Sequence, residues 1–215
     1  MSYYTIKDET SFQFEEKKSI FISNIKRVYT EEDAKEFIQN IKTQYKDARH
    51  NVYAYVIGEK TEIQRYSDDG EPQGTAGIPM LEVIKKSGIT DVVIVVTRYF
   101  GGILLGTGGL ARAYSKGASS AIKEGKIVLK VKGKALNITV NYDLLGKLQY
   151  LCEKKMWHIE SLEYTDKVKL MIYFEIDTLE EVKKTFIEIT SGNCQFVEGE
   201  DTYYFKIENR LFLDK

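Results

Sequence analysis

The sequence predicts an α+β fold in two units, and three features carry that prediction. Apolar residues recur at helical spacing in some segments and alternate as strands in others. Short β-branched runs, such as VVIVVT at 92–97, are interleaved with those helices rather than set apart from them. From about Lys134 the order becomes strand, helix, strand, strand, helix, strand, the split-βαβ or ferredoxin-like arrangement. The composition changes around 125–134, with no low-complexity linker, so the expected units are 1–133 and 134–215.

In the first unit, SIFISNIKRVY at 19–29 reads as a strand. Thr30 with Asp33 gives a capping-box signature, and Ala34, Phe37, Ile38, Ile41 and Tyr45 then place a helix over 31–45. NVYAYVI at 51–57 is a strand, and Pro79 to Ser87 a short helix closed by Gly88. The run 92–97 is a strand buried on both faces. Thr107 to Glu124 is a helix with Leu110, Tyr114, Ala118, Ala121 and Ile122 on one side, weakened by Gly117.

In the second unit ALNITVNY is a strand, and Tyr142–Lys155 a helix turning Leu144, Leu145, Leu148 and Leu151 inward. HIESLEY and KVKLMIYFEI pair across Thr165–Asp166. Thr178 with Glu181 forms a second capping-box signature ahead of Leu179, Val182, Phe186 and Ile189. A closing strand over 194–207 is interrupted near Gly199.

With 31 basic against 32 acidic residues the net charge is −1, so nucleic-acid binding requires a local patch rather than a global field. Cys152 and Cys194 lie far apart and outside any metal-ligand spacing; a reducing cytoplasm is the expected setting, and Cys152 a core residue. The polar opening MSYYTIKDET does not read as a signal segment, and no apolar run approaches bilayer length. No membrane association and no cofactor are expected.

The chemistry-bearing segment is 66–114. GTGGLA at 106–111 matches a dinucleotide fingerprint by letter, but RYFGGILL separates it from the preceding strand. Gly101 and Gly106 have P-loop separation, yet Thr107 and Gly108 stand where lysine and a hydroxyl residue are required. What remains is an anion site: amides of Thr107, Gly108 and Gly109 at a helix start, with Arg98 and Arg112 as guanidinium forks. The competing reading packs the glycines tightly and pairs the arginines with Asp68, Asp69 or Glu71. Those three acids could hold a hard cation, act as an acid/base pair, meet a partner, or serve a turn. His50 precedes a strand and His158 opens one, and no nucleophile stands beside a convincing base, so no catalytic residue is assigned.

The strings SDDGEPQGTAGIPMLEVI and VVIVVTRYFGGILLGTGGLARAY, with DARHNVYAYVIG and KKSIFIS upstream, closely resemble the signature of the IMPACT/YigZ family over roughly 1–125. That resemblance implies a ribosomal-protein-S5 domain-2-like unit followed by a ferredoxin-like one, a pairing similar to domains IV and V of elongation factor G. It implies a role near ribosomes or RNA. The resemblance also extends to eukaryotic regulators of translation that bind a protein in an amino-acid-stress pathway; they carry a different accessory domain, so that partner is not transferred.

The leading expectation is thus a non-catalytic, translation-associated protein binding RNA, the ribosome or a translation-related protein. Arg49, His50, Arg98, Tyr99 and Arg112, with the amides at 107–109, are the candidate contacts, and Tyr99 or Phe100 the stacking face. The alternatives are a Mg²⁺-dependent enzyme or binder of a phosphorylated or carboxylated small molecule, and a protein-interaction regulator read through Asp68, Asp69 and Glu71.

Overall fold

A computed structural model describes residues 2–214, which form two compact units, Tyr3–Val128 and Leu129 onward. The strands are β1 (Tyr3–Ile6), β2 (Thr10–Glu16), β3 (Ser19–Arg27), β4 (His50–Ile57), β5 (Ile63–Ser67) and β6 (Val92–Tyr99), then β7 (Ile127–Val140) through β8 (Ile159–Tyr164), β9 (Val168–Glu175), β10 (Gln195–Glu198), β11 (Thr202–Ile207) and β12 (Arg210–Leu213). The helices are α1 (Glu31–Gln44), α2 (Gly77–Lys86), α3 (Thr107–Gly125), α4 (Tyr142–Lys155) and α5 (Leu179–Thr190).

The first unit is built on an antiparallel sheet in the order β2-β3-β6-β4-β5. Its central strand β6 is buried on both faces because helices cover both. Val92, Ile94 and Val96 join the core under α2 and α3, whereas Val93 and Val95 face the core under α1. All five are fully buried, worth about 1.5–3 kcal/mol each in apolar transfer. Helix α1 begins where Thr30 Oγ1 accepts from the Asp33 amide and the Asp33 carboxylate accepts from the Thr30 amide, the expected reciprocal cap. On α3 Gly117 is a packing residue: a Cβ there would stand 2.6 Å from Ser23 Oγ and 3.4 Å from Val96 Cγ2. Its poor helix propensity is the cost of seating α3 close against the sheet.

The second unit has the ferredoxin-like fold. Its sheet runs β12-β11-β7-β9-β8, with β10 also antiparallel to β7. The fourth strand of the motif is thus split into β10 and β11, both on β7, and the split falls at the expected Gly199 interruption. Helices α4 and α5 cover one face through Leu148, Leu151, Cys152, Val182 and Phe186. Leu144 and Leu145 only flank that core.

The Thr178 cap does not form. Thr178 sits in a 3-10 turn, Ile176–Thr178, at φ −98° and ψ −10°, and its hydroxyl donates back to the Glu175 carbonyl at 3.0 Å. The near-helical backbone turns its side chain away from the first α5 amides. Strands β1, β2, β5 and β12 add to the elements expected from the sequence. β1 and β12 are only four residues long, and β5 shows no alternation of burial. The edge strand β2 alternates regularly, Phe12 and Phe14 against Ser11, Gln13 and Glu15, a signal the sequence contains.

Candidate functional site

The acidic turn after β5 distributes its three carboxylates to three separate tasks. Asp68 Oδ1 accepts from the amides of Ala76 at 3.0 Å and Gly77 at 2.8 Å, and Oδ2 from Gly74 at 2.8 Å. A residue remote in sequence therefore caps α2, whose own N-cap, Ala76, has no side chain able to do so. Asp69 adopts φ +43°; its carboxylate accepts from Lys42 Nζ at 2.7 Å and from the Asn51 amide at 2.6 Å. Its carbonyl accepts from His50 Nδ1 at 2.8 Å, which places the proton on Nδ1 and leaves Nε2 as acceptor in the neutral ring. Glu71 is buried and Oε1 accepts from both Arg98 Nη1, at 2.7 Å, and the Tyr114 hydroxyl, at 2.8 Å.

A hard-cation site is one of several readings the sequence leaves open at Asp68, Asp69 and Glu71, and the geometry sends their carboxylates to separate partners. Among the described residues no group of three or more His, Cys, Asp or Glu side chains is placed to hold a metal ion. Each acid is turned toward its own donor, so no common oxygen cage exists.

Arg98, at the end of β6, turns inward. Beyond Glu71 it reaches Ser19 Oγ at 3.4 Å, and its guanidinium carbon lies 5.5 Å from the Phe21 ring centroid and 5.6 Å from that of Phe100. Its Nε is buried without a hydrogen-bond partner. The pairing with Glu71 is the internal arrangement weighed against an open anion fork. Tyr114 completes the network, and burial, then the Glu71 charge, raise its phenol above the usual tyrosine range.

Helix α3 starts openly. Its N-cap is Gly106, no side chain caps it, and the amides of Thr107, Gly108 and Gly109 meet no acceptor among the described residues. Arg112 is exposed one turn along; a Cβ on Gly108 would lie 3.6 Å from its Nη1. Gly109 and Arg112 line a depression of about 180 Å³ with Lys17, Lys116, Glu16, Leu105 and Ala113. Lys116 Nζ sits 4.5 Å over the Phe14 ring centroid.

Leu105 also walls a second groove of about 270 Å³, which holds Arg49, His50, Glu71, Pro72, Arg98, Phe100, Leu104 and Leu110. Phe100 is 46% and Leu104 82% exposed, so the loop after β6 offers apolar and aromatic surface to solvent. Gly101 fixes that loop: a Cβ there would fall 2.0 Å from the Lys18 carbonyl carbon and oxygen. Tyr99 is half-buried and pairs with Ile20 in the sheet.

The structure thus groups Thr107, Gly108, Gly109 and Arg112 at the α3 start, and Arg49, His50 and Arg98 around the adjoining groove. Sequence reasoning missed Lys17 and Lys116. Lys116 stands four residues after Arg112 on the same helix face, a signal the sequence contains. Lys17 belongs to the β2–β3 turn, and β2 was not anticipated.

The fold and this surface define a two-domain protein, an S5-domain-2-like unit followed by a ferredoxin-like one, with an open helix start flanked by cations. Residues 17–122 match the Impact N-terminal domain and residues 138–193 a domain of unknown function, DUF1949. The chain belongs to the IMPACT family. It is 41% identical to IMPACT family member YvyE of Bacillus subtilis, over 98% of this chain and 97% of the relative. It is 33% identical to IMPACT family member YigZ of Escherichia coli, over 86% and 92%. A protein IMPACT homolog of Dictyostelium discoideum is 40% identical over 42% of this chain and 27% of its own length. A solved structure described as a hypothetical protein superposes with a TM-score of 0.60 at 31% identity, covering 91% of this chain and 96% of that one. No helix among the described residues is long and apolar enough to cross a membrane.

Proposed function

We propose that the chain is a translation-associated regulatory protein that binds RNA, on the ribosome or free, through the α3 face of its first unit, without making or breaking bonds. One observation carries this reading: Leu105 joins the open α3 start, with Lys17, Arg112 and Lys116, to a groove holding Arg49, His50 and the exposed Phe100. Amide donors and cations suit phosphate oxygens, and an exposed aromatic ring beside them suits an unstacked base. The local cluster supplies what the near-neutral total charge does not.

Asp68, Asp69 and Glu71 have their donors within the chain, which supports this reading over a Mg²⁺ enzyme or an acidic turn displayed to a partner. The tie to translation rests on the family and the role its resemblance implies. Cosedimentation with ribosomes tests it. The wild-type chain is expected to pellet with ribosomes at low salt and an Arg112→Ala/Lys116→Ala variant to remain in the supernatant. Equal pelleting of both at every salt concentration would contradict the proposed surface.

A further inference from the structure

A cleft of about 360 Å³ opens in the second unit; its lining includes the rings of Trp157 and Tyr173 and the buried side chains of Phe174, Val182 and Leu211. Trp157 is held rigidly. Its amide donates to the Cys152 carbonyl at 2.8 Å, just past Met156 in the left-handed region at the end of α4, and its ring packs edge-on to Phe174 with centroids 5.2 Å apart.

Ion pairs line the same cleft, and His158 Nε2 stands 3.8 Å from Glu160 Oε1 beside them. Glu175 accepts from Lys206 at 2.7 Å, and Glu160 accepts from Arg210 Nε at 3.2 Å and Nη2 at 3.3 Å. All four side chains are 18–38% exposed, so solvent reaches them and ligand groups can join them. Lys206 has one hydrogen bond for three donors, and Glu175 Oε2 has no partner among the described residues. Lys155 and Glu181, also on the lining, have no ion pair among the described residues.

Paired opposite charges are complemented by another adjacent pair of opposite charges, not by a net anion or cation, which one member of each pair would repel. The aromatic and apolar part of the lining suits an apolar body on the same molecule. We infer that this cleft binds a small zwitterion with an aromatic or aliphatic side group, of the free α-amino-acid class. Its carboxylate meets Lys206, its ammonium meets Glu175 Oε2, and its side group lies on Trp157. This site is independent of the RNA surface on the first unit.

Trp157 is the only tryptophan in the chain, so its fluorescence reports the cleft directly. Titration with phenylalanine and with leucine should give a saturable change, and phenethylamine and phenylpropionate, each lacking one charge, should bind at least about tenfold more weakly. Lys206→Met and, separately, Glu175→Gln should each weaken phenylalanine binding at least about tenfold while circular dichroism stays that of the wild type. Two variants are used so that misfolding of one leaves the other as the test. The inference fails if neither amino acid gives saturation below about 10 mM. It fails equally if the single-charge analogues bind as tightly, or if a folded variant binds as the wild type does.

Discussion

Arg98 and Glu71 meet at 2.7 Å with their side chains only 6% and 4% exposed, a sealed ion pair joining the end of β6 to the turn before α2. Glu71 Oε1 also takes the Tyr114 hydroxyl, so one carboxylate ties strand, turn and helix α3 together. Removing either charge leaves the other buried and uncompensated. Glu71→Ala is expected to destabilise the first unit by about 3–5 kcal/mol, and Glu71→Gln/Arg98→Met by clearly less, because no orphan charge remains. Urea unfolding of the three chains checks this; a smaller loss for the single variant than for the double would refute the pairing as the main term.

Asp68 supports α2 from a distance. Asp68→Ala frees three amides, those of Gly74, Ala76 and Gly77, and is expected to cost about 1–2 kcal/mol. Hydrogen exchange at 74–77 should rise well before exchange elsewhere in the first unit. Unchanged exchange there would show that the carboxylate is dispensable.

Two helix glycines should respond in opposite directions. At Gly117 a Cβ meets Ser23 Oγ at 2.6 Å, so Gly117→Ala should cost about 1–3 kcal/mol despite the gain in helix propensity. At Gly146 on α4 nothing lies within 4 Å, so Gly146→Ala should stabilise by up to about 1 kcal/mol. Thermal melts of the two variants decide the matter, and a shift of the same sign in both would contradict the packing described.

Alkaline pH should weaken the fold. Burial, with the Tyr173 charge adding, pushes the Tyr204 phenol up to about 12 from its ordinary 10.0, and burial also raises Tyr55 and Tyr114. Above pH 10 the unfolded chain releases phenolic protons that the folded chain retains, so the unfolded state binds fewer protons and stability falls with rising pH. Below pH 10 that contribution is complete. Urea midpoints between about pH 8 and about pH 11.5 should be flat and then decline, with a shallower decline in Tyr204→Phe.

Much of this was legible in the sequence where one residue pattern had one structural answer. The Thr30/Asp33 cap, the doubly buried β6 and the α4 boundaries follow from local periodicity and hydrogen-bonding chemistry. Local reasoning failed at Thr178, whose letters match those of a cap but whose backbone follows a 3-10 turn. At the candidate site it identified the turns, the glycines and internal pairing of the arginines as one option, but not which acid meets which arginine. Arg98 and Glu71 are separated by 27 residues, and only the antiparallel sheet and the α2 turn bring them together. Lys17 lines the α3 depression from the turn after β2, and only the β2–β3 pairing brings it there, although the Phe12 and Phe14 alternation of β2 is present in the sequence.

The central claim is that the α3 start and its cations hold phosphates. Fluorescence anisotropy with a single-stranded RNA across a salt series measures it most directly, comparing the wild type with Arg112→Ala/Lys116→Ala. Binding by the wild type should fall steeply with salt, and the variant should lose affinity and flatten the log–log slope by roughly one to two units. Identical affinity and slope in the two chains, with both folded, would contradict the claim.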